Sequence, residues 1–131
     1  MHPLLTSHKH YGTLVLALVL LVVLVALFKG PKPVLQRIVA VLVDINLVVG
    51  LIAIFLNESR NISWFHPIFA LGAVGLLHAG AKSDNKAKVV RCFSLAFVLL
   101  VLAWSVNASW GPAFFKSTLL IKSVPAAPVA P

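Results

Sequence analysis

Two neutral imidazoles on facing helices can hold haem iron, and bundle cores suit such sites. Histidines are spaced accordingly in this chain. His8 and His10 stand just ahead of a first apolar run, and His66 opens a third. If neighbouring helices run antiparallel, all three lie at one end of the bundle. His66 with His8 or His10 could then ligate one bis-histidine haem. A second is excluded, because His78 lies twelve residues further on, about 18 Å along a helix axis. His78 reads as interfacial, or as a single axial ligand to a chlorophyll-type magnesium or to a haem with a different sixth ligand. The plain alternative for all four is a histidine at a helix end in the headgroup zone. His66-Pro67 is also a natural opening for a helix, since proline suits the first turn.

Asp44 is the other residue that could carry chemistry. It interrupts the second apolar run near its middle. A carboxylate at the bilayer centre costs about 2.5–3.5 kcal/mol on insertion scales, so it should face the interior, be paired or be protonated. Arg37 lies two turns earlier on the same face, but a direct pair would span about 10 Å, so a water or another partner is needed. Asn46 and Asn107 are candidate interhelical hydrogen-bond partners. Asp44 reads either as a proton or quinone site or as a neutral carboxyl in a packing hydrogen bond. Gly72, Gly75 and Ala79 form a small-residue face that admits a close helix or a flat cofactor. Cys92 is the only cysteine, which excludes an intrachain disulfide and a cysteine-based metal site.

The elements that carry these residues follow from composition. Of 131 residues 60% are hydrophobic and 11% charged, and mean hydropathy is +1.02. Too few polar residues remain to cover a soluble domain, so the expected solvent is a bilayer. The net charge of +8 sits at the ends of apolar runs rather than in a stripe interleaved with aromatics. It therefore reads as topology and anionic-lipid contact, and nucleic-acid binding is excluded. No nucleophile–base pair or phosphate loop is present, so independent enzyme activity is not expected.

The sequence predicts an all-α, four-helix transmembrane bundle in residues 1–112, with spans at 11–28, 34–56, 64–81 and 89–110. The first run reads as a retained span over a cleaved signal peptide, because residues 26–28 make a poor cleavage site. Short connections imply antiparallel neighbours. Lys29-Gly30-Pro31-Lys32-Pro33 is a helix-stopping turn, and residues 82–88 form a basic loop. A tail at 113–131 should hold a surface-lying apolar piece and then an extended Ala/Pro segment. The first and fourth runs have no polar stripe and read as lipid- or subunit-facing. Lys29, Lys32, Arg37, Lys82, Lys86, Lys88 and Arg91 outnumber Lys9, Arg60, Lys116 and Lys122 on the opposite side. That bias puts the two basic loops in the cytoplasm and both termini outside.

The order of features resembles small bacterial four-helix cytochrome b-like membrane proteins. His8 precedes the first helix, His66-Pro67 opens the third, and a basic loop with Lys86-Ala87 follows. Their second-helix pattern, His-x-Gln-Leu-x-x-Gly-Leu, is matched by the stretch from Asp44 to Leu51. Asp44 and Asn46 stand where that pattern has histidine and glutamine, so a second-helix histidine ligand has no counterpart. The resemblance implies a haem b- or quinone-linked electron-transfer component in a bacterial inner membrane. Two alternatives stand beside it. One is a non-catalytic subunit of a respiratory or photosynthetic complex, filling an interface with other membrane subunits and holding lipid, carotenoid or chlorophyll-type pigment. The other is a transporter component using Asp44.

Overall fold

The computed structural model describes residues 3–56, 62–63, 65–106 and 119–121. Four helices account for nearly all of them: α1 (Pro3–Lys29), α2 (Pro33–Phe55), α3 (Phe65–Ala81) and α4 (Lys86–Val106). Each helix packs on its sequence neighbours, and α1 closes the ring against α4. The fold is therefore an all-α four-helix bundle with α1 diagonal to α3. Among the described residues α1, α2 and α4 are long and apolar enough to cross a membrane, and α3 is a shorter apolar helix. Two short strands, β1 (Ile62–Ser63) and β2 (Leu119–Ile121), pair antiparallel. Part of the apolar tail segment expected to lie on a surface is thus hydrogen-bonded to the residues ahead of α3. Asn107, the 57–61 loop and the Ala/Pro-rich end lie outside the described residues.

Helix ends follow local chemistry. At 27 residues α1 is longer than its apolar run, starting at Pro3 rather than at residue 11. Hydropathy falls among Ser7, His8, Lys9 and His10, but no helix breaker intervenes, so the backbone stays helical. The helix stops at Gly30, whose φ of 87° is left-handed and suits glycine. Pro33 occupies the first turn of α2, where its missing N–H costs nothing. Asn85 caps α4, its side-chain oxygen accepting from the Lys88 N–H at 3.3 Å.

The core is a heptad seam of mostly small side chains, with Leu77 and Phe93 the large ones. It runs through Val15, Val19, Val22 and Ala26 in α1 and through Val39, Val43 and Ala53 in α2. Ala73 and Leu77 continue it in α3, and Val89, Phe93, Ala96 and Ala103 in α4. Spacings alternating between three and four residues keep one stripe per helix inward. Leu14, Leu20, Leu21, Leu24 and Leu27 of α1 are exposed instead. So α1, which looks apolar all round, has a valine/alanine inner face and a leucine outer face. Small residues inside let helices approach closely, which is how helices associate where the surroundings are as apolar as leucine.

The face of Gly72, Gly75 and Ala79 packs on a neighbouring helix only at Gly72, where a Cβ would stand 3.1 Å from Leu99 Cδ1 of α4. All three are exposed, and a Cβ added at Gly75 would meet nothing within 4 Å. The small residues that do face inward are Ala73, Gly80 and Ala81, one position round the helix.

Candidate functional site

His8 and His66 belong to the inner stripes. His8 lies seven residues before Val15, and His66 seven before Ala73, which puts both on the seam. Their rings meet across the bundle diagonal with centroids 5.9 Å apart and planes at 77°. Each ring is held from behind by a backbone carbonyl. His8 Nδ1 donates to the Asn46 oxygen at 3.0 Å, and His66 Nδ1 donates to the Ala103 oxygen at 2.7 Å. A carbonyl only accepts, so Nδ1 of each ring carries the proton and Nε2 of each neutral ring keeps its lone pair. Anchoring one ring nitrogen on a carbonyl is the arrangement that orients a metal-ligating histidine. His10 is exposed and off the seam, so it does not join the pair.

Glycine makes the room for this arrangement. A Cβ at Gly50 would stand 2.7 Å from His8 Cε1, closer than real contacts allow. One at Gly12 would stand 3.3 Å from Asn46 Nδ2. Asn46 is buried, and its Oδ1 has no hydrogen-bond partner among the described residues. Its backbone oxygen, not its side chain, positions His8. Gly50 and Gly12 escape a reading by residue chemistry. Their signal is periodicity, since Val43, Asn46, Gly50 and Ala53 continue the α2 seam and Gly12 continues that of α1.

No family model, curated protein or solved structure matches this chain. What its sites can do is read from their geometry.

Asp44 and His78 form a second polar site. His78 Nε2 and Asp44 Oδ2 are 2.7 Å apart, joining α3 to α2. Each lies one residue past a seam position, Leu77 and Val43, and so on the rim of the α2–α3 contact. Their side chains are 49% and 36% exposed, so the pair is open to the outside of the bundle. Asp44 Oδ1 is enclosed and has no donor among the described residues. His78 is therefore a partner of Asp44 rather than an isolated histidine at a helix end. Arg37 is exposed rather than buried and takes no part, its Nε donating to the Pro33 oxygen at 3.3 Å within its own helix.

A third polar contact went unseen in the sequence. Gln36 is 1% exposed. Its Oε1 accepts from the Lys32 N–H at 2.8 Å, at the start of α2. Its Nε2 donates towards the oxygens of Gly80, Ala81 and Ser83 at 3.2, 3.3 and 2.9 Å. One amide thus satisfies groups left over at the beginning of α2 and the end of α3. The clue was its position three residues before Val39 on the α2 seam.

Proposed function

We propose that this chain is a multi-pass membrane protein that carries electrons through one haem b, which His8 and His66 would hold. The observation that carries the reading is the pair of imidazoles 5.9 Å apart, each with Nδ1 occupied by a carbonyl. The donor set fits the group. Among the described residues no three His, Cys, Asp or Glu side chains come together as a metal cluster. His8 and His66 are the residues that would hold a haem iron. Bound there, haem supplies one-electron chemistry. The chain itself supplies orientation, through the Asn46 and Ala103 carbonyls, and an apolar surround.

The resemblance to small four-helix cytochrome b-like proteins points the same way. The Lys/Arg bias favours both termini outside, and a bacterial cytoplasmic membrane follows from the resemblance alone. The test is the visible spectrum of the full chain purified from haem-replete cells. A reduced-minus-oxidised band near ~560 nm is expected, and His66→Ala or His8→Ala should abolish or shift it. Folded, colourless protein from such cells would sink the reading.

A further inference from the structure

We propose that the His78–Asp44 pair anchors the headgroup of a membrane quinol, which reaches it sideways from the lipid between α2 and α3. This rests on the membrane-embedded reading above and not on iron ligation by His8 and His66. Asp44 lies at the middle of α2 (Pro33–Phe55), and the pair is partly exposed on the outer face. An ionisable pair facing hydrocarbon is costly and marks a functional position. The surroundings are apolar. Val41, Ile45 and Val48 are exposed on the Asp44 side, and Leu71 on the His78 side. Gly75, one turn before His78, leaves open space where a side chain would stand. A flat ring can therefore lie against α3 beside the imidazole.

The pair's chemistry selects the class of ligand. With Nε2 engaged by Asp44, His78 presents Nδ1, for which the described residues provide no hydrogen-bond partner. In the neutral ring Nδ1 accepts a hydrogen bond from a phenolic hydroxyl. In the protonated ring, held by the carboxylate, it donates to a quinone carbonyl. A carboxylate that orients an imidazole in this way is the usual support of a general base. The pair joins the middle of α2 to the last turn of α3. A phospholipid headgroup has no flat apolar ring to lie on the open face at Gly75, whereas a quinol has one and carries its hydroxyls on it.

The full-length protein in nanodiscs is photolabelled with a short-tailed azido-benzoquinone, with unlabelled benzoquinol as competitor. Label is expected on α2 around residues 41–48 and on α3 around 71–79. His78→Ala should weaken competition by the quinol about tenfold, the equivalent of one lost charge-assisted hydrogen bond. Gly75→Leu should block labelling while leaving the fold intact, because nothing lies within 4 Å of the added Cβ. Labelling needs no iron, so a colourless preparation that still labels separates this proposal from the haem reading. Label that is absent, lies elsewhere, or is indifferent to both substitutions overturns it. So does a chemically cross-linked dimer that buries this face and excludes the probe.

Discussion

His8 and His66 stand on diagonal helices of the bundle, yet their rings meet at 5.9 Å, each backed by a carbonyl of a third or fourth helix. All four helices therefore contribute to one pair of imidazoles: α1 and α3 supply the rings, and α2 and α4 supply the oxygens. A change in any helix crossing alters the distance between the two Nε2 atoms.

The closest approach in that arrangement is Gly50 against His8. Gly50→Ala puts a methyl group 2.7 Å from the current position of His8 Cε1, so the ring must move. Overpacking of this kind costs about 1–3 kcal/mol. A loss of stability is expected in thermal melts of the detergent-solubilised protein. A haem-loaded sample should also show a changed b-type spectrum. Gly12→Ala, whose nearest contact is 3.3 Å, should have the smaller effect on both.

Gln36 ties the start of α2 to the end of α3. Gln36→Leu removes every one of these bonds; the Gly80 oxygen keeps the Ser83 N–H, but the Lys32 N–H and the Ala81 and Ser83 oxygens lose the amide, at about 1–3 kcal/mol for each group not rescued by water. Gln36→Glu keeps the shape but turns a carboxylate oxygen towards three carbonyls. It should therefore destabilise more than Gln36→Leu whenever it is ionised. Unfolding titrations of the two variants at neutral pH check the order. A Glu variant as stable as the wild type would contradict the donor role of Nε2.

The division of α1 into an inner valine face and an outer leucine face is open to a reciprocal exchange. Val19 is fully buried and Leu20 exposed. Val19→Leu adds a methylene to a closed seam and should cost about 1–3 kcal/mol. Leu20→Val on the outer face should stay within about 0.5 kcal/mol. Comparable losses for the two would mean that the leucine face is also covered by protein.

Much of this was legible in the sequence. Apolar run lengths, the Gly30-Pro31 break and the polar loops specified four helices and their antiparallel order. The histidine spacing sorted His8, His10 and His66 to one end. The heptad seam adds more, since His8 and His66 share it with Val15 and Ala73 whereas His10 does not. Hydropathy misjudged the start of α1 because a helix ends where its backbone is broken, not where its side chains turn polar. The partners of Asp44, His78 and Gln36 could not be read in the same way. Periodicity fixes which side of a helix a residue occupies, but not which neighbour it meets or at what height. Those depend on how four helices settle against one another, a balance of many small contacts between valine, alanine and glycine. That packing brought His78 rather than Arg37 to Asp44, turned Gly75 outward, and set the His8 and His66 rings 5.9 Å apart on the bundle diagonal, each bonded to a backbone carbonyl.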